Sequence, residues 1–268
     1  MRQTSWLPAT LAALLLVGGG AQADVGTKPT KESSSFGALR GVEAAEARKQ
    51  ADAWLKSVKA DAAAQERFKT IWDGDQPLLD KITATLIMGD ATAARLLSDA
   101  RDATAAAPVA VPALLKDREK PLFYRANLAL ALGRSLTGRK VYEEALEVFA
   151  QVKPEDVADP ASYFFHKAVC EHALMLKDKA DRSIDRLLVD VVEAPERYRM
   201  VAALMHFDMM TWQEKDLGWI SRKMNNIQRR LDLKRGGKET QKQQKEVLVR
   251  LDEMIKELEN QQKSPGGS

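Results

Sequence analysis

The sequence predicts an all-α fold, and three observations carry that expectation. From Val42 onward the chain is dense in Ala, Leu, Lys, Glu and Arg, the residues that hold a helix at least cost. Apolar residues recur at three- and four-residue spacing, whereas strand-like alternation of β-branched residues is scarce. Breakers rich in Gly, Pro and Asp cut the remainder into segments mostly of ordinary globular helix length.

The chain opens with "MRQTSWLPATLAALLLVGGGAQA", a short basic start at Arg2, an apolar run from Ala9 to Val17, and small residues at Ala21 and Ala23. That is the layout of a secretory signal peptide, 1–23, with cleavage expected after Ala23. The run falls short of the ~20 apolar residues a membrane-spanning helix needs, and no later stretch is long and uncharged enough. The mature chain is therefore expected to be soluble and exported, periplasmic or associated with the cell envelope. No cysteine follows the apolar run, so an acyl-anchored lipoprotein is not supported. Residues 24–41, polar and rich in Ser, Gly and Lys, read as a flexible linker.

Lys and Arg number 41 against 38 Asp and Glu, a net charge of +3 that says little about partners. The single cysteine, Cys170, cannot form an intramolecular disulfide, so the core alone must hold the fold. It reads as a small buried apolar residue, with a reactive thiol or an intermolecular bridge as the alternatives.

The helical domain is expected over 42–212. Val42 to Ile71 reads as one long helix, with Ala51, Trp54, Leu55, Val58 and Ala62 along one face. "WDGDQP" ends it. Pro77 to Met88 and Ala91 to Ala106 form a pair joined at Gly89-Asp90, and "PVAVP" is an extended connector because each proline disfavours helix in the residue before it. Further helices are expected at about Leu122–Leu136, Val141–Val152, Ala161–Leu176, Lys179–Val192 and Pro195–Met210. Pro160 and Pro195 fall near helix starts, where a missing N–H costs least. Short loops favour antiparallel neighbours.

Within "NLALALGRSLTGRKVYEEALEVFAQVKP", Leu132-Gly133 is followed twelve residues after the glycine by Ala145, and Phe149 comes four residues later. This spacing resembles a tetratricopeptide (TPR) repeat. Small side chains at Gly133 and Ala145 let paired helices approach, while Leu136 and Phe149 fill the space beside them. A shift of 38 residues puts Cys170, Leu174, Ser183 and Leu187 on Leu132, Leu136, Ala145 and Phe149, with Glu171 in place of the glycine. "IMGDATAARLLSDA" offers a weaker unit with Ala94 at the small position. The resemblance spans at most Leu78 to Val192 and implies a protein- or peptide-binding surface. An irregular helical bundle containing one such pair is the alternative.

Residues 213–262 read as a basic helical hairpin. Leu217, Ile220, Met224, Ile227 and Leu231 are spaced 3, 4, 3, 4, and Leu248, Leu251, Ile255 and Leu258 are spaced 3, 4, 3, the seams of a coiled coil. Folding them about Gly236-Gly237 sets Ile227 near Leu248, Met224 near Leu251, Ile220 near Ile255 and Leu217 near Leu258. Gly236 is expected to supply the left-handed residue. No strand precedes these glycines and the P-loop spacing is absent. Arg222, Lys223, Arg229, Arg230, Lys234, Arg235, Lys238, Lys242 and Lys245 stand against Asp232 and Glu239. They form either a solvated face or, with Arg222, Lys223, Arg229, Arg230, Lys234, Arg235 and Lys238 as docking residues, a contact for an acidic protein, an anionic envelope polymer or a phospholipid head group. Nucleic acid is disfavoured because aromatic residues for base stacking are nearly absent there. The segment "KETQKQQKEVLVRLDEMIKELENQQ" resembles the C-terminal helix of uncharacterised exported bacterial proteins, which implies no activity. Residues 263–268 read as a disordered tail.

No enzyme signature emerges, and no cofactor is implied. His166 and Cys170 stand at i, i+4, but two ligands do not make a metal site and Cys170 falls on a core position. Glu143-Glu144 reads as an exposed pair rather than an acid-base pair. The Met-rich "MVAALMHFDMMTW" reads as core, though an exposed Met face would suit a partner helix. The expected function is an exported, non-enzymatic scaffold or adaptor that binds a protein or peptide through the TPR-like surface, with self-association through the hairpin a further option. The alternative is a binder of anionic envelope polymer through the hairpin.

Overall fold

A computed structural model of the chain describes residues 36–108 and 110–263. The signal peptide, most of the linker and the last residues of the tail lie outside them. The described residues form twelve α-helices and no strand, so the all-α expectation holds. No helix among them is long and apolar enough to cross a membrane.

The first departure from expectation is at the start. The predicted helix over Val42–Ile71 is two helices, α1 (Ala44–Ser57) and α2 (Ala62–Asp73). Lys59 turns left-handed at φ +53° and closes α1, and the Asp61 carboxylate then accepts from Ala64 N–H to cap α2. Local capping and packing on the next helix override the continuous helix propensity of the Ala- and Lys-rich run. Ala62, expected on the apolar stripe, is exposed at the start of α2.

Helices α3 (Leu78–Gly89) and α4 (Ala91–Arg101) meet at Asp90, whose carboxylate caps α4 through Thr92 and Ala93 N–H. The same carboxylate accepts from the Tyr124 hydroxyl at 2.9 Å, tying this turn to a later helix. The small residue facing inward here is Ala93, not Ala94, which is only half-buried. Past the connector, Pro112 precedes a short helix, α5 (Ala113–Lys116), in a stretch for which the sequence predicts no element. Then come α6 (Leu122–Gly138), α7 (Tyr142–Phe149), α8 (Pro160–Ala173) and α9 (Lys177–Asp185). A π-helical turn over Arg186–Asp190 follows, and α10 (Glu196–Met210), α11 (Leu217–Asp232) and α12 (Lys238–Lys263) complete the order.

The helices stack as pairs in a zigzag. Helices α1, α3, α6, α8 and α10 form a row in which each packs on the next, and α4, α7 and α9 each bridge two neighbours of that row. Chain segment 37–42 runs past the end of the π-helical turn, where Leu39 N–H donates to Asp190 C=O and Val192 N–H to Leu39 C=O.

The pair α6–α7 and the pair α8–α9 close identically. Lys140 (φ +61°) and Met175 (φ +58°) occupy the left-handed position, with Val141 N–H on Leu136 C=O and Leu176 N–H on Glu171 C=O. This is a Schellman closure made without glycine. The two turns are therefore 35 residues apart, where the sequence comparison used a shift of 38. In that register Gly133, Ala145 and Phe149 correspond to Ala168, Ala180 and Ile184, all buried. Glu171 falls on Leu136 and is no substitute for the glycine. The 38-residue shift fails because it aligns apolar positions one helical turn out of step.

Leu132, Gly133, Leu136, Ala145 and Phe149 are all buried between α6 and its neighbours. The contact that demands a glycine is with the Phe149 ring, since a Cβ on Gly133 would sit 2.4 Å from Phe149 Cε1. Overfilling a packed core costs about 1–3 kcal/mol, which exceeds the ~1 kcal/mol of helix propensity gained from alanine. Gly133→Ala is thus expected to lower stability in denaturant unfolding, and Phe149→Leu in the same chain to recover part of the loss. Gly138→Ala, with nothing within 4 Å of its added methyl, is expected to be neutral or stabilising.

Candidate functional site

The C-terminal hairpin is where the sequence placed its docking charges. Asp216 caps α11 by accepting from Trp219 N–H. At the other end α11 closes on Lys234 (φ +59°), with Arg235 N–H on Arg230 C=O. The left-handed residue is therefore Lys234, not Gly236. Gly236 and Gly237 have φ outside the left-handed region; a Cβ on Gly236 would make only ordinary contact with Leu231 Cδ2 at 3.8 Å, and one on Gly237 would have nothing within 4 Å.

The seam also differs from the predicted one. Lys223 Nζ donates to Glu246 at 2.9 Å, Asn226 Nδ2 to Gln243 at 3.2 Å and Arg230 Nε to Thr240 at 2.9 Å. These bonds fix a tighter turn and a shifted register. Ile220, Ile227 and Val247 form the apolar centre, with Trp219, Leu251 and Met254 against it. Leu217, Met224, Leu231, Leu248, Ile255 and Leu258, half of the expected coiled-coil seam and more, are exposed. Polar pairing between the helices and the Arg229 anchor described next rotate both helices relative to a heptad-only solution.

Arg229 is 8% exposed and grips Glu143 of α7 with two bonds, Nη1 to Oε2 at 2.9 Å and Nη2 to Oε1 at 2.7 Å. Nη1 also donates to Lys140 C=O at 2.7 Å, the guanidinium lies 5.0 Å from the Tyr142 ring centre, and Asn226 Oδ1 accepts from Nε and Nη2. Arg230 joins on Glu143, and Arg235 donates to Glu144 at 2.9 Å. Bidentate arginine–carboxylate pairs of this kind combine strength with fixed geometry. Burial alone pushes the Glu143 carboxyl up, but the bonds and charge of Arg229 and Arg230 outweigh it and hold the group below the ordinary carboxylate range. Glu143 and Glu144 are thus not the exposed pair expected; they are the receptor for the hairpin.

This corrects the docking set. Arg229, Arg230 and Arg235 dock on the chain's own array, Lys223 is paired with Glu246, and Arg222 lies 4.6 Å over the Trp212 ring with Asp216 at 3.7 Å. Lys234, Lys238 and Lys245 are exposed without an ion pair among the described residues. Between α11 and the turn end of the array lies a cleft of about 320 Å³ lined by Tyr142, His172, Asp208, Trp212, Arg222 and Asn225, among others. In it His172 Nε2 and Trp212 Nε1 both meet Asp208 Oδ2, at 2.8 and 3.0 Å, and so brace α10 against α8.

The remaining chemical candidates sit in packing roles. Burial, helped by the charges of Arg134 and Arg197, pushes the His166 imidazole down to about 4. Burial pushes the Cys170 thiol up to about 12, beside Thr137 Oγ1 at 3.2 Å. No group of three or more His, Cys, Asp or Glu residues is placed to hold a metal ion among the described residues.

The Met-rich segment divides between two faces. Tyr198, Ala202 and Met209 of α10 are buried, with Met205 packed beside them. Met200, Val201, Leu204, Phe207 and Met210 are exposed. The sequence favours core packing for the whole segment; it does not show that α10, unlike α6 and α8, receives no covering second helix among the described residues.

Comparison with known proteins finds no matching family model, no matching curated protein and no matching solved structure.

The Glu143 anchor carries a pH signature. A depressed folded-state value means the contribution is complete above the unfolded value near 4.5 and is lost as pH falls through the lower folded value. Amide hydrogen exchange in α11, corrected for intrinsic rates, is expected to be constant from neutrality to about pH 4.5 and to accelerate below it. Glu143→Gln is expected to show fast exchange already at neutral pH and no further change across that window.

Proposed function

We propose that this chain is an exported, non-enzymatic scaffold or adaptor whose TPR-like stack binds a helical segment of a protein partner along α10. The observation that supports the reading is the bare outer face of α10. In the preceding pairs α7 covers α6 and α9 covers α8, but among the described residues no helix fills the corresponding place on α10. Met200, Leu204 and Phe207 fall at i, i+4 and i+7, the anchor spacing of a helix laid in an apolar groove. Two of the exposed residues flanking or lying on this stripe are methionines, which adapt to varied partner surfaces. The amino-terminal leader layout supports export. The anionic-polymer alternative retains only Lys234, Lys238 and Lys245 as unpaired charges of the basic cluster and is not adopted.

A photo-crosslinking residue in place of Phe207, with the chain produced in its native host, tests this reading. The expected result is a reproducible adduct to one partner polypeptide, lost when Leu204→Asp is added while far-UV circular dichroism is unchanged. An absent adduct, or one indifferent to Leu204→Asp, contradicts it.

A further inference from the structure

Each residue of a helix turns the side chain by about 100°. Counted from the hairpin's own seam, Leu217, Met224 and Leu231 lie to one side of α11, and Leu248 and Ile255 lie to the same rotational side of α12. In an antiparallel pair that shared sense leads to a single face. The opposite face carries Arg222 and Arg229, which meet Trp212 and Glu143. The hairpin is thus a two-helix layer, docked by its arginine side and apolar on its outer side. The five outer apolar side chains are 47% to 66% exposed. They repeat at intervals of seven, on α11 and on α12 alike, which is the period of helices that supercoil around further helices.

We infer that this outer face is covered by a second copy of the chain, the two hairpins packing into an antiparallel four-helix bundle. Charge complementarity selects a copy of itself as the occupant. Along the outer edge of α12 stand Lys245 and Asp252, seven residues apart, exposed, and without an ion pair among the described residues. A two-fold axis crossing α12 beside Leu248 lays this helix antiparallel on its counterpart. Lys245 of each copy then faces Asp252 of the other, Leu248 meets Leu248, and Leu217 comes beside Met224 of the second copy. Around the stripe Ser221, Gln228, Gln241 and Gln244 are uncharged, so the two faces meet without like-charge repulsion. An interface of this kind is isologous and closed, and yields a dimer rather than a filament. It leaves α10 free and is independent of what α10 binds.

Light scattering coupled to size exclusion, on the full-length exported chain, decides the matter. The wild type is expected at twice the chain mass. Leu248→Glu with Ile255→Glu is expected to be monomeric at unchanged helicity, since both positions are exposed in the single chain. Lys245→Asp is expected to raise the dissociation constant about tenfold, and adding Asp252→Lys to restore most of it. A wild type that stays monomeric up to its solubility limit overturns the inference. So does a dimer that survives Leu248→Glu/Ile255→Glu, or one that separates on Leu204→Glu instead, and a charge swap without effect overturns the proposed register.

Discussion

The two bonds between Arg229 and Glu143 set the orientation of the C-terminal hairpin. Arg229 sits in the last turn of α11 and Glu143 in the first turn of α7, so the acidic partner lies where a helix N-terminus already favours negative charge. The guanidinium is buried and every polar atom it carries has an acceptor, on Glu143, Lys140 C=O or Asn226. A buried charge tolerates that position only when it is paired in this way. Once α11 is fixed at this point, its arginine side must face the array, and α12 follows through the Lys223, Asn226 and Arg230 bonds. The outer apolar face is a consequence of that anchor.

The array beneath depends on a different constraint, the depth to which one helix can sink into another. Gly133 admits the Phe149 ring to a distance no side chain would allow, and Ala145 keeps α7 close. Ala168 and Ala180 repeat the arrangement one unit later with a smaller gap-filler, Ile184. The turns on Lys140 and Met175 close the two pairs in the same way despite little shared sequence. Left-handed lysine and methionine cost more than glycine would, and the satisfied carbonyls at each helix end offset that cost.

Much of this was legible in the chain. Helix class, the Gly89-Asp90 and Pro160 boundaries, and the packing role of Gly133 and Phe149 follow from patterns local enough to read. The break at Lys59 was not, because a lysine in a left-handed cap leaves no compositional mark; the same is true of Lys140, Met175 and Lys234. The 35-residue spacing of the turns at Lys140 and Met175 is hidden for the same reason, since neither turn carries a glycine. Glu143 and Arg229 are 86 residues apart, and only the fold reveals that they are partners. The coiled-coil spacing is real, but only Ile220, Ile227 and Leu251 serve the hairpin's interior, and the other six seam residues are exposed. Heptad periodicity tells which residues share a face; it does not tell which neighbour that face meets.

A double-mutant cycle between Glu143 and Arg229 tests the anchor most directly. Glu143→Gln, Arg229→Gln and the double variant are compared by the free energy of α11 opening from hydrogen exchange. The account predicts a coupling of about 1–3 kcal/mol, with the second substitution costing little once the first is made. Additive losses, or an α11 whose protection is indifferent to both substitutions, would show that the hairpin is held to the array by something else.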